Sequence, residues 1–150
     1  MIREVMHIGL TVTDLDRSVA FYRDILGLEF QGEIMMSGEA TDRLFARQNA
    51  AARIAYLNGS KELLAPPIEL IQFTDQEIKQ DRGDLFKTSV SEICFNCDDI
   101  DKVYADLVAK GVDFLSEPQE FDFTADGFGK SKAVYLRDPD GIILELMQVI

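Results

Sequence analysis

The sequence predicts an α+β fold built from two tandem βαβββ modules, whose curved mixed sheets enclose a metal-binding cleft. Three observations lead there. The chain repeats itself; each copy passes from the alternation of a strand to the spacing of a helix and back; and each copy carries glutamate inside an otherwise apolar strand segment.

The repeat comes first because it organises the rest. Residues 7–17 (HIGLTVTDLDR) align with residues 92–102 (EICFNCDDIDK). Residues 26–30 (LGLEF) align with 110–114 (KGVDF) after the second copy drops one residue. Residues 54–57 (IAYL) match 133–136 (AVYL), and 68–72 (IELIQ) match 144–148 (LELMQ). Four blocks in the same order define module one at residues 1–75, a polar linker at 76–87 with room for a short helix, and module two at 88–150, all within one domain of 150 residues.

Each element has a local cause. The opening strands alternate, with Ile8, Leu10 and Val12 on one face and Ile93, Phe95 and Cys97 in the second copy. Thr13 or Asp14, and Asp98 or Asp99, cap the helices that follow, with Asp16 and Asp101 in the first turns. Leu15, Val19, Tyr22 and Leu26 recur at helical spacing, as do Ile100, Tyr104, Leu107 and Val108, and Gly27 and Gly111 stop the helices. Three strands complete each copy, with turns at Asn58-Gly59-Ser60 and at Asp138-Pro139-Asp140-Gly141. Neither copy covers both faces of its own sheet.

Composition excludes several functions. A net charge of −12 without a basic cluster argues against nucleic-acid and anionic-membrane partners. No stretch has the length of a membrane span, and the start of the chain lacks a signal peptide's layout, so a cytoplasmic location is expected. Cys94 and Cys97 form a C-x-x-C motif, but residues three apart on a strand face opposite ways. They are read as packing residues.

The face turned away from the helices carries the candidate chemistry. It holds His7, Gly9 and Thr11 on the first strand and Glu92, Cys94 and Asn96 on its equivalent. On the last strands it holds Glu69, Ile71 and Phe73, and Glu145 and Met147. If the two sheets curve together, the single histidine and three carboxylates converge. Several buried carboxylates cannot all ionise without a compensating cation, so one divalent metal is expected on His7, Glu69, Glu92 and Glu145.

The repeated βαβββ pattern, the opening HIGLTVTDLDRSVAFYRDILGLEF and the closing YLRDPDGIILELM resemble the vicinal oxygen chelate superfamily across essentially the whole chain. That superfamily includes glyoxalase I, methylmalonyl-CoA epimerase, extradiol dioxygenases and the fosfomycin and bleomycin resistance proteins. The resemblance implies the same four ligands. Glu92 stands where glyoxalase I and the epimerases usually have histidine, which makes the site more acidic. Oxygen-rich ligation favours Mn, Co, Fe or Mg, with Ni and Zn also admitted. A single histidine argues against the two-histidine iron site of the extradiol dioxygenases.

The resemblance also implies an enzyme, a glyoxalase-like isomerase, epimerase or lyase. It would move a proton next to a carbonyl in a small α-hydroxycarbonyl compound or acyl thioester, through an enediolate or related oxyanion. Glu145 is the first choice of proton carrier and Glu69 the second. Arg43, Arg47, Arg53, Lys130 and Lys132 are candidates for holding an anionic group of the substrate. Residues 118–132 resemble a closing flap or a plain hairpin loop. The alternative is a protein that sequesters an aromatic or antibiotic ligand on Phe73, Phe121, Phe123 and Phe128. A homodimer is the expected assembly.

Overall fold

In a computed structural model, residues 5–59 and 67–150 are described. The chain divides into two compact units, Met1–Gln80 and Asp81–Ile150. In the first, β1 (Ile8–Thr11) leads into α1 (Leu15–Ala20), which continues as a π turn (Phe21–Ile25). Strand β2 (Glu29–Met36), helix α2 (Glu39–Leu44), β3 (Ala52–Asn58) and β4 (Ile68–Phe73) follow. The strand order is β1-β4-β3-β2, with β1 and β4 parallel and the other pairs antiparallel. The second unit holds β5 (Ile93–Asn96), α3 (Ile100–Ala109), β6 (Asp113–Phe114), β7 (Gln119–Phe123), β8 (Gly129–Arg137) and β9 (Ile143–Val149). Its order is β5-β9-β8-β6, again with only the first pair parallel, and β7 also pairs with β8. Both sheets are mixed, and neither is closed into a barrel.

The two units share the order of their first four paired strands, and their helix caps match as well. Asp14 accepts from Arg17 N, and Asp99 from Lys102 N, both at 3.0 Å. A second cap comes from the last strand of each unit. Gln72 Oε1 accepts from Leu15 N at 3.1 Å, and Gln148 Oε1 from Ile100 N at 3.0 Å, so two backbone donors orphaned at the helix start are satisfied by the sheet beneath. Leu10, Val12, Leu15, Tyr22 and Leu70 fill the first core, and Ile93, Ile100, Leu107, Leu136 and Leu144 the second.

The one-residue difference between the copies has a structural cause. Asp14 to Gly27 is one residue longer than Asp99 to Gly111. The surplus residue lies in the π turn, where Leu26 N donates to Phe21 O at 3.0 Å, five residues back. A π turn accommodates an inserted residue without rotating the rest of the helix off its core-facing register. Gly27 and Gly111 then both take positive φ, 81° and 79°.

Two expectations are refined. Helix α2, inserted between β2 and β3, is absent from the simple repeat; Phe45 after its end meets Phe73 edge-on at 5.2 Å between ring centroids. The linker at 76–87 contains no helix, and its second half folds onto the second unit, where Gly83 N donates to Gly141 O at 3.0 Å. The turn after β8 forms as expected. Asp138 Oδ1 accepts from Asp140 N and Ile142 N, and Gly141 takes φ 84°. The other turn lies partly outside the described residues, since Ser60 is not among them.

Candidate metal and proton-transfer site

Strand register decides which side chains meet. In the first unit Glu69 is opposite Gly9 on β1 and Tyr56 on β3. In the second, Glu145 is opposite Cys94 on β5 and Tyr135 on β8. Each unit thus presents a central glutamate flanked by a tyrosine on one side and a small residue on the other. Both glutamates are buried, at 7% and 9% exposure, in strands whose other buried residues are apolar.

The first half-site is well defined. Tyr56 Oη donates to Glu69 Oε1 at 2.7 Å, and His7 Nε2 lies 3.1 Å from Glu69 Oε2. His7 is half-exposed, so its free face is open to solvent, and its ring meets that of Tyr56 edge-on. A Cβ on Gly9 would come within 3.3 Å of Glu69 Oε2, so glycine keeps the space beside that oxygen open. The bond to Glu69, then burial, then the carboxylate charge push the Tyr56 phenol up to about 12.

The second half-site differs where the first has His7 and Gly9. Glu92 replaces the histidine and Cys94 the glycine. Although Cys94 as a residue is exposed, burial of its thiol raises its pKa to about 12. A hydrogen bond with Glu145 and the charges of Glu145 and Glu92 add to that rise. Tyr135 is also raised, by burial first and then by Glu145, Glu92 and Cys94. Such a thiol stays protonated near neutral pH and is a poor nucleophile. Cys94 and Cys97 are both free.

Among the described residues, no three or more His, Cys, Asp or Glu form a ready cluster for a metal ion. The donors of the first unit nevertheless suit one. His7 Nε2 and Glu69 Oε2 are separated by 3.1 Å. Neighbouring ligands of an octahedral ion at about 2.1 Å stand about 3 Å apart. Imidazole and carboxylate are also the donor types that hard and borderline divalent ions select.

The five basic candidates are all engaged. Arg53 on β3 binds Asp16 at 2.8 Å and Glu33 at 2.7 Å, and Lys132 at the matching place on β8 binds Asp101 at 2.6 Å. By alternation both point to the helix-bearing face, opposite the glutamates, where they tie the sheet to the first helical turn. Arg43 pairs with Glu39, Arg47 with Asp75, and Lys130 with Asp122. Tyr56 and Tyr135, which face the two glutamates, lie outside the residues that the sequence nominates, although the repeat aligns them in IAYL and AVYL.

Comparison with known proteins gives this architecture its family. The model of the Glyoxalase/Bleomycin resistance protein/Dioxygenase superfamily matches residues 4–146, and the chain belongs to that superfamily. It is 29% identical over 147 residues to the uncharacterized protein YaeR of Escherichia coli, covering 98% of this chain and 97% of that protein. It is 27% identical to the uncharacterized protein YraH of Bacillus subtilis, covering 98% and 99%. A glyoxalase family protein of Bacillus cereus superposes with a TM-score of 0.84 at 19% identity, over 99% of this chain and 95% of the other. The trypanothione-dependent glyoxalase I of Leishmania major superposes at 0.67 and 21% identity, over 98% and 87%. These two likenesses establish the fold. No helix among the described residues is long and apolar enough to cross a membrane.

Proposed function

We propose that the protein is a metal-dependent isomerase, epimerase or lyase that moves a proton next to a carbonyl. Its substrate would be a small α-hydroxycarbonyl compound or acyl thioester. His7, Glu69, Glu92 and Glu145 would supply the ligands, each unit contributing two. The observation that carries this reading is the matched pair of buried glutamates, each facing a tyrosine, with His7 at 3.1 Å from Glu69. Membership of a superfamily that includes glyoxalases supports it.

A bound divalent ion would supply Lewis-acid stabilisation of the oxyanion beside the reacting carbon. The rest is the work of side chains. Glu145 takes the proton from that carbon and returns it to the neighbouring one, and Glu69 is the second candidate for the same task. Tyr56, donating to Glu69 Oε1, holds that carboxylate in one orientation and leaves Oε2 beside His7. In the second unit Glu92 stands where the first has His7, so Glu145 has no histidine partner from its own unit.

The test is metal analysis of the purified protein, followed by solvent deuterium exchange into α-hydroxyketones by the wild type and by Glu145→Gln. The expected result is a stoichiometric divalent ion and a loss of exchange of about 10²-fold or more in the variant. Protein whose fold and ligand binding ignore chelators, and which exchanges no deuterium, would refute the reading. One observation favours a second reading, sequestration of an aromatic ligand. Phe121 and Phe123 on β7 stack at 5.9 Å with planes 4° apart, and both are exposed. On that reading Glu145→Gln leaves ligand affinity unchanged.

A further inference from the structure

The second unit holds a cleft of about 270 Å³ lined by Arg82, Lys87, Leu85, Leu115, Arg137 and Ile143, among others. Its place on the sheet relates it to Glu145. Arg137 faces Ile143 across the β8–β9 ladder as Tyr135 faces Glu145, two residues along. Alternation puts both pairs on one face, about 7 Å apart along the strands. Residues 82–87 form the other wall, with Gly83 so near that a Cβ there would meet Ile143 Cγ1 at 3.0 Å.

The cleft is electropositive in an acidic protein. Three cations and one carboxylate, Asp84, line it, whereas the chain carries −12. Lys87 meets Asp84 at 3.7 Å and Arg82 meets Asp113 at 3.9 Å, both loose pairs. Arg137 has no carboxylate partner among the described residues. Its Nη1 donates to Gly83 O and Gly141 O, each at 3.0 Å. Two backbone carbonyls thus hold the guanidinium in place, and its Nε and Nη2 hydrogens have no partner among the described residues. A pinned guanidinium with a free edge suits bidentate capture of an oxyanion, and the apolar walls of Leu115 and Ile143 strengthen such a pair. Ligand clefts usually begin at about 300 Å³, so this one fits a terminal acid group with a few carbons. The body of a large thiol cofactor would not enter.

We propose that this cleft is an anion subsite. It takes the carboxylate or phosphate at one end of a small substrate whose reacting carbon lies at Glu145. Arg137 is the main contact, and Arg82 and Lys87 stand at the mouth. The reacting end rests on the proposed function; the capture of an oxyanion does not.

The test uses chelator-treated full-length protein, titrated separately with inorganic phosphate and with lactate at constant ionic strength. Backbone amide NMR shifts of Gly83, Lys87 and Ile143 are the readout. Saturable shifts with either anion support the subsite, and the anion that saturates first identifies the end group. Arg137→Ala should abolish them. Should that variant fail to fold, the double variant Arg82→Glu/Lys87→Glu, on two exposed side chains, should weaken binding by about tenfold or more. Shifts that grow linearly with both anions, or that sodium chloride reproduces, overturn the proposal. Glu145→Gln separates the two readings, because it should abolish deuterium exchange yet leave phosphate and lactate shifts intact. Saturable binding in a protein that never exchanges deuterium would refute the enzyme and keep the subsite.

Discussion

Tyr56→Phe isolates a single interaction at the first half-site. The substitution removes one oxygen and keeps the ring, so packing against His7 survives while the 2.7 Å bond to Glu69 Oε1 is lost. A hydrogen bond to a charged group contributes about 1.5–3 kcal/mol, and a buried carboxylate oxygen that loses its donor adds a desolvation cost. The phenol's own titration gives a second route to the magnitude. Its pKa is raised from 10.0 to about 12, which corresponds to about 3 kcal/mol of preference for the protonated form in the folded chain. Because the folded value lies above the unfolded one, this stabilisation is complete below pH about 10 and disappears as pH rises through about 12. Metal-free Tyr56→Phe should therefore be about 2 kcal/mol less stable than wild type in urea at neutral pH, and the gap should close in strong alkali. The difference between the two proteins' tyrosinate absorbance titrations should place Tyr56 near 12, and Glu69→Gln should bring it down towards 10. A Tyr56 midpoint at 10, or a stability change below about 0.5 kcal/mol, would refute the coupling of this phenol to Glu69.

Other expectations concern the scaffold. Gln72→Ala and Gln148→Ala each remove the acceptor for the first helical N–H of their unit, and each should cost about 1–2 kcal/mol in chemical denaturation. Ser18 is fully buried and its Oγ has no partner among the described residues, while the matching position of the second copy is Val103. Ser18→Ala should be neutral or stabilising by about 1 kcal/mol, read as a higher melting temperature. Arg53→Ala should weaken the tie between β3 and Asp16 by up to about 1 kcal/mol, yet leave substrate KM unchanged, because the side chain lies on the opposite face from Glu69. A raised KM with stability intact would return Arg53 to the binding residues.

Much of this molecule was legible in the sequence because strand alternation is a local property and the duplication doubles every signal. The core faces of β1 and β5, the Asp caps and the glycine stops all follow from residues within a few positions of one another. Helix α2 was not legible, because no second copy of it exists to align. The same limit hid the caps from Gln72 and Gln148, whose partners lie 57 and 48 residues away. The basic candidates show the complementary difficulty. A charged residue on a strand can serve either face, and for Arg53 and Lys132 the deciding fact is a carboxylate in the first turn of a distant helix. Arg137 escaped notice for a related reason: its meaning depends on residues 82–87 folding back across β9.

What differs between the copies is as informative as what agrees. On the helix-bearing side the same interaction is made twice: aspartate on the first turn, glutamine on the last strand, a cation between sheet and helix. On the opposite face the central glutamate and its tyrosine are also made twice. On that face β3 and β8 differ where Asn58 becomes Arg137, and β1 and β5 differ where His7 and Gly9 become Glu92 and Cys94. Packing alone does not require this, since both strands hold the same register against their glutamate. Electrostatics does distinguish them. His7 stands 3.1 Å from Glu69 in the first unit, whereas in the second the carboxylate of Glu92 and a protonated Cys94 thiol take the places of His7 and Gly9. A single acceptor of protons and a single fixed anchor need different surroundings, and two units of one topology with different residues around the central glutamate can supply both. On that ground Glu145, with no histidine in its own unit, is the better candidate for moving a proton, and Glu69, held between Tyr56 and His7, for staying where it is.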